Sequence, residues 1–463
     1  ENVDTGLIPS FKSCGIAATK AMVLRGMEKQ FATQTVVECD AGTSSRGLID
    51  VGFTDMELKY LTLKNNNGQV TNGGGFVHLK SGGSMSMEYV HFNGGHTING
   101  NGGSIHCEAG ATLTAKSITV ENSKTDYGDG GGIYCAGTCT LLGSKNSVST
   151  SEATHGNGGG IAIGKDGTFK VESTPQNMDM GSVMLNNNQA LNGGGVYLDE
   201  RSSLVVSGEN AQCTVDGNTA AHSGGGSYAV GATVLLDNGG TMSITRNVAG
   251  NATTIGHGGG MFVIASDVVG SSTDHSMVSI NENVANGNGG GMYISKTTAG
   301  SSVTDTQCKI SNVVVQQNTA AQDGAGMYIN NELGAIMKTC TLTGNVAAMN
   351  GGGIAMHSHG TVNMTGVNID KNTALKGEGG GMHVVGDSTV QTLALNLDSN
   401  VVVARNKAPF GGGISAKDAV VTFGSGTTVQ ENQGYLGAGL FLDNVNVVPS
   451  TTTNTQHGQL RVE

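Results

Sequence analysis

The stretch Ile280-Asn281-Glu282-Asn283-Val284-Ala285-Asn286-Gly287-Asn288-Gly289-Gly290-Gly291-Met292-Tyr293-Ile294 sets two signals side by side. First comes an apolar residue, two further positions and an asparagine; then three glycines open an apolar, aromatic, apolar alternation. Alternation with period 2 marks a strand with one buried face. The same alternation follows the glycines at Met261-Phe262-Val263, Met327-Tyr328-Ile329 and Leu440-Phe441-Leu442.

Both signals recur along the chain. The glycine triplet or a near variant begins at Gly73, Gly102, Gly130, Gly158, Gly193, Gly224, Gly258, Gly289, Gly324, Gly351, Gly379, Gly411 and Gly437, which is 13 copies at intervals of 26 to 35 residues. The asparagine signal ends at Asn188, Asn218, Asn247, Asn283, Asn318, Asn345, Asn372, Asn406 and Asn432. Each unit holds two or three short strands and no helical period, so alone it cannot bury its apolar face. Coiling once per repeat and pairing each strand in parallel with its equivalent in the next coil buries a continuous core. The expected fold is all-β, a single-stranded parallel β-helix of about 13 or more coils, and at roughly 4.8 Å per coil a rod about 60 Å long.

Composition agrees. Of 463 residues, 76 are glycine and only 4 proline, which excludes collagen and Pro/Gly low complexity. With 37% hydrophobic and 13% charged residues the chain does not meet the condition for disorder. A net charge of -12 with scattered Lys and Arg disfavours nucleic acid and anionic membranes as partners. No run of apolar residues is long enough to span a bilayer. Eight cysteines fit an oxidising compartment.

The paired motif, apolar-x-x-Asn before Gly-Gly-x-apolar, resembles the repeat of the chlamydial polymorphic outer-membrane proteins over residues 61–447. That resemblance implies a right-handed β-helix at a cell surface. The family favours Phe before the two polar residues and Ala as third member of the triplet, where this chain has Ile, Val or Leu and a third Gly. No outer-membrane barrel accompanies the repeats.

The ends read differently from the repeats. Residues 1–60 are expected to form an N-terminal cap and first coil, with an amphipathic helix over 15–31 and a disulfide between Cys14 and Cys39. Residues 448–463 read as an exit segment that leaves the last coil open, either continued by further chain or covered by another subunit.

Candidate sites are each weighed against a structural role. The asparagine column is read as a ladder, because Asn tolerates left-handed backbone and stacked amides hydrogen-bond to one another. The triplets supply positive φ and close backbone approach; the contexts that bind phosphate are absent. The second residue after each triplet runs Val77, His106, Tyr134, Ala162, Tyr197, Tyr228, Phe262, Tyr293, Tyr328, Ala355, His383, Ser415 and Phe441. Its aromatics are either a covered stabilising ladder, a lateral contact with another subunit, or a face on which glycans stack. Cys107 and Cys135 occupy equivalent positions in adjacent coils and are either a disulfide or two buried thiols, with Cys139 as a competing partner; no pairing is assigned to Cys213, Cys308 and Cys340, the last two of which are separated by about one coil. His357, His359 and His383 are the candidate metal ligands, without a carboxylate at fixed spacing. Asp126 and Asp129 lack the nonapeptide context of calcium-binding solenoids. Asn251-Ala-Thr253 and Asn363-Met-Thr365 are N-glycosylation sequons.

The functional expectation is a non-enzymatic, extracellular or cell-surface structural or adhesive rod that associates with itself, end to end or laterally, and needs no cofactor. The alternatives are a monomeric adhesin for a glycan or host receptor, and a polysaccharide lyase or hydrolase on the same scaffold. An enzyme of that kind needs paired or clustered carboxylates, and the acids here are scattered singly.

Overall fold

A computed structural model of the chain describes residues 10–11, 16–18, 20–26, 36–39, 43–44, 47–66, 68–173, 180–271, 275–295, 307–330, 332, 334–357, 360–386, 393–449 and 461–462. Among the described residues every regular element is a strand. The chain divides into two compact units, one of residues 1–221, 226–228 and 235–243, the other of 222–225, 229–234 and 244–463.

In the first unit one coil runs through a triplet strand Ile105–Cys107, a second strand Thr112–Lys116, a third Thr119–Glu121 and a short fourth Lys124–Thr125 before the next triplet. Each strand pairs in parallel with its equivalents in neighbouring coils. Ile105 lies on Val77 and Ile133, and Ile133 on Ile161. The second unit repeats the plan, with Met292, Tyr293 and Ile294 in register with Met327, Tyr328 and Ile329.

Inward positions stack like on like. In the second unit the apolar residue before the asparagine forms the column Ile280, Val315, Leu342, Ile369, Val403 and Val429, all buried. Burying each such side chain contributes about 1.5–3 kcal/mol relative to exposure. Repetition of the column is what one coil alone cannot supply.

The corner after the third strand explains the asparagine spacing. The residue immediately before the ladder asparagine is left-handed, with φ of 56° at Asn187 and Glu282, 54° at Gln317 and 55° at Glu431. The expectation that the asparagine itself adopts this conformation is corrected. One left-handed residue turns the chain and brings the next side chain inside, at roughly 1–2 kcal/mol for a non-glycine. The amide then offsets that cost: Asn188 donates its backbone N–H and Nδ2 to Asn218 Oδ1 at 2.9 and 3.0 Å, and Nδ2 also to the Val148 carbonyl at 3.0 Å. In the second unit the same bonds run through Asn247, Asn283, Asn318, Asn345, Asn372, Asn406 and Asn432. The first unit fills this place in earlier coils with serine, Ser151 donating its backbone N–H to Asn188 Oδ1 at 2.9 Å.

The triplet belongs to the same corner. Gly289 has φ of 68°, and a Cβ on Gly291 would lie 2.6 Å from the Gly326 carbonyl oxygen and 2.9 Å from Asn318 Nδ2. The triplet of one coil is thus packed against the ladder asparagine of the next.

Three expectations about the ends and registers change. Where a helix over 15–31 was expected, Ile16–Ala18 and Met22–Arg25 are strands; Met22 and Leu24 align with Met56 and Leu58, so the apolar spacing is strand alternation. Parallel pairing therefore starts well before residue 61. Beyond residue 447, Val448 and Pro449 still align with Thr422 and Phe423, and Arg461–Val462 with Thr428 and Val429. In the first triplet an extra residue shifts the register, so His78 and not Val77 is the partner of His106, and Val77 is buried.

Candidate functional site

The outer side of the triplet strands carries most of the polar and aromatic groups singled out from sequence. In the first unit His78 and His106 have ring centroids 4.9 Å apart, His106 meets Tyr134 edge-on at 5.1 Å, and Tyr197 stacks on Tyr228 at 5.7 Å. In the second unit Phe262, Tyr293 and Tyr328 stack at 4.8 and 4.9 Å, with His257 against Tyr293 at 5.0 Å. Each of those three rings is only 8% exposed. At Phe262, Tyr293 and Tyr328 the column is a covered stack, the first of the three alternatives read from the sequence. Parallel strands at β spacing hold equivalent rings face to face, each pair contributing about 0.5–1.5 kcal/mol beyond its buried area.

Where the column carries Ala355, a neighbour fills the gap. His357, two residues along the same strand, stacks on Tyr328 at 5.5 Å and meets His383 at a tilt at 5.6 Å. His383 Nδ1 and His357 Nε2 are buried without hydrogen-bond partners, 3.8 Å from Glu378 and 3.9 Å from Asp323 respectively. Burial, reinforced by the neighbouring His357, pushes His383 down to about 4. His106 is likewise lowered to about 4 by burial and by His78, which is itself bonded to Glu108 at 2.7 Å. Burial disfavours the charged forms of His106, His357 and His383. His359 lies outside the described residues, and His357 and His383 do not converge with a third ligand atom: among the described residues the one group of three close metal-ligand atoms is Cys107, Cys135 and Cys139.

Directly before the triplets runs a second polar ladder that the sequence reading missed. Asp129 donates its backbone N–H to Asn101 Oδ1 at 2.9 Å, Asn157 does the same to Asp129 Oδ1 at 2.7 Å, and Asn192 Nδ2 reaches Asn157 Oδ1 at 2.9 Å. In the second unit Asp323, Asn350 and Glu378 each donate a backbone N–H to the side chain one coil earlier, at 2.9, 2.8 and 2.9 Å. Its signal was present as an amide or acid immediately before most triplets. Asp129 is thereby held in the ladder, and burial raises its carboxyl above the ordinary range.

The cysteines pair differently from the cross-coil option. Cys135 bonds Cys139 within one coil, and Cys107, in register with Cys135, remains a buried thiol. The turn between Cys135 and Cys139 brings both side chains to the inside of the same corner. Cys213, Cys308 and Cys340 are buried thiols. The Cys14 and Cys39 pairing lies outside the described residues.

The sequons separate. Asn251 is exposed, and its Oδ1 accepts from Thr253 N and Thr253 Oγ1 at 2.9 Å each. Asn363 lies within the strand Thr361–Thr365 and accepts from Asn396 Nδ2 at 2.8 Å.

Exposed apolar surface gathers elsewhere in the second unit. An open groove of about 640 Å³ is lined by Thr373, Leu375, Lys407, Pro409, Gln433 and Tyr435. Tyr435 is 92% exposed, and Leu375 and the adjacent Leu436 are exposed as well. Lys407 bridges in parallel to Thr373 and to Gln433, so regular backbone forms the floor.

Together the ladders, stacks and registers define the chain as a parallel β-solenoid protein. No protein-family description matches it. No curated protein matches it either. Among solved structures the chain is similar to a Siphovirus 9NA tailspike receptor binding domain, at 10% identity over 95% of this chain and 78% of that one, with a TM-score of 0.22. At that score the likeness adds nothing to the fold read from the strand register.

Proposed function

We propose that this solenoid is a non-enzymatic structural or adhesive element of an extracellular or cell-surface protein, and that it associates with copies of itself. The observation that carries the reading is how the repeated side chains are used. In each unit the asparagines, the residues before the triplets and the aromatic column are bonded or stacked to their equivalents in the next coil. The repeat therefore builds scaffold, and a scaffold does its work through its outer surface. The Cys135–Cys139 disulfide fits an oxidising location, as does the resemblance to surface-exposed repeats.

Exposed Tyr435, Leu436 and Leu375 supply the apolar patch through which copies would meet. Negative-stain microscopy across a concentration series tests this. Ordered filaments or paired particles that vanish in the double variant Tyr435→Ser, Leu436→Ser support it; single particles at every concentration overturn it for this chain.

A second reading, an adhesin for a glycan, draws on the same groove. It sets an exposed aromatic ring beside Lys407, Gln433 and Thr373, a mixture that stacks on a sugar and bonds its hydroxyls. Glycan-array binding lost in Tyr435→Ala, with particle size unchanged, would favour it over self-association.

A further inference from the structure

Three sulfurs in the first unit form a cluster that neither the scaffold nor the groove uses. Sγ atoms of Cys107, Cys135 and Cys139 all lie within 4.8 Å of one another, and all three residues are fully buried. Apolar side chains enclose them by register: Leu79 beside Cys107, Ile163 beside Cys135, Leu113 and Phe169 on either side of Cys139. Carbonyl oxygens are the polar neighbours, Gly137 and Thr168 at 3.6 and 3.7 Å from Cys135 Sγ and Glu108 at 3.9 Å from Cys107 Sγ.

We propose that, once the Cys135–Cys139 bond is reduced, these three thiols form a buried site for a soft trivalent ion of the arsenic(III) class. With metal–sulfur bonds of about 2.3 Å, three sulfurs around one centre sit about 3.5–4 Å apart, a spacing the cluster reaches by small side-chain adjustment. Sulfur ligands select soft ions. Net charge then selects among them. Three thiolates on Zn²⁺ leave one negative charge and on Cu⁺ two, in a pocket whose polar neighbours are carbonyl oxygens; on As³⁺ they leave none. Burying an uncompensated charge is costly.

The chemistry balances in two steps. A phosphine reductant takes up the oxygen of one water to become its oxide, and the disulfide gains two electrons and two protons to give two thiols. Arsenous acid, As(OH)₃, then condenses with the thiols of Cys107, Cys135 and Cys139. Three As–S bonds form, three As–O bonds break, and three waters leave with no further change of oxidation state.

The test refolds the full chain from denaturant in phosphine with arsenite and reads arsenic-edge X-ray absorption and intact mass. One arsenic held by three sulfurs is expected, with the mass increased by one arsenic less three hydrogens. Cys107→Ala and Cys139→Ala should each reduce the sulfur count to two or abolish binding. Cys213→Ala, which removes a buried thiol elsewhere in the same unit, should keep three. If the first two variants do not fold, alkylation rates of the refolded wild type with and without arsenic substitute: protection should rise at Cys107, Cys135 and Cys139 and stay unchanged at the buried Cys213, Cys308 and Cys340. Two-sulfur coordination in the wild type, a full count retained in Cys107→Ala, or Zn²⁺ or Cu⁺ held as tightly as arsenic under the same conditions would each overturn the assignment.

Discussion

Replacing Asn318 by alanine cuts the second unit's ladder in its interior, and the loss can be worked from its bonds. The Asn318 side-chain oxygen accepts Asn283 N–H at 2.9 Å and Asn283 Nδ2 at 3.0 Å, while its Nδ2 donates to Asn345 Oδ1 at 3.0 Å and to the Ile280 carbonyl at 2.9 Å. Alanine strips the buried Asn283 N–H of this acceptor and takes one partner each from Asn283 Nδ2 and the Ile280 carbonyl. Asn345 Oδ1 keeps the Asn318 backbone N–H at 3.0 Å. An orphaned buried donor costs about 1–3 kcal/mol and each partial loss somewhat less, so the local penalty is about 3–5 kcal/mol. Solenoids open coil by coil, so a global midpoint would dilute the effect. Hydrogen exchange followed by mass spectrometry resolves it: peptides spanning residues 278–345 should lose that much opening free energy while peptides before residue 170 stay unchanged. Asn318→Asp sharpens the test. It retains the acceptor but turns a carboxylate toward the Ile280 and Asn345 oxygens, so its penalty should exceed alanine's at pH 7 and shrink on acidification as the protonated carboxyl donates again. A loss below about 1 kcal/mol for alanine, or an aspartate variant insensitive to pH, would refute the ladder as a source of stability.

Three further outcomes follow from the same geometry. Gly291→Ala places a Cβ 2.6 Å from the Gly326 oxygen and should lower the thermal midpoint, whereas Gly52→Ala, with open space around its Cβ, should leave it unchanged. Tyr293→Ala removes the ring between Phe262 and Tyr328 and should cost about 3–5 kcal/mol by calorimetry or local exchange; a near-neutral result would mean that the stack is decorative. His106, facing His78, Glu108 and Tyr134, and His383, facing His357, Glu378 and Asp323, have folded pKa values lowered to about 4. Between the ordinary value of 6.5 and 4 the unfolded chain binds a proton that the folded one refuses. Stability is therefore intact above that window and falls as pH drops through it, by about 3 kcal/mol per histidine at pH 4. Thermal unfolding from pH 7 to 4 should show the loss, and His106→Gln and His383→Gln should each flatten it; profiles that keep their slope in both variants would contradict the assignment.

Much of the fold was legible because a solenoid writes its structure into its period. Ile280, Asn283 and Gly289 recur with equivalents at near-constant spacing, and the same local choice repeated coil after coil leaves few architectures that bury its apolar face. The helix expected over 15–31 shows the limit of local pattern. Met22 and Met27 fit a helical stripe as well as Met22 and Leu24 fit a strand, and pairing with Met56 and Leu58 decided between them. The candidate site was less legible. Asn101, Asp129, Asp323 and Asn350 look like loop polarity until the coils stack and bring each side chain over the next backbone N–H.

From its residues alone this chain determined that it would coil, which positions face inward, and that asparagine and glycine would form columns, since these follow from alternation and period. Tertiary structure decided what a period does not encode. The left-handed residue stands before the ladder asparagine, because that position alone turns the amide inward. Cys135 bonds Cys139 and not Cys107, because a turn within one coil brings those two sulfurs together. The aromatic column is covered at Phe262, Tyr293 and Tyr328, because neighbouring rings close over each other and His357 enters the space beside Ala355. Each outcome depends on contacts between residues about one coil apart or across a turn, and their distances exist only once the coils are stacked.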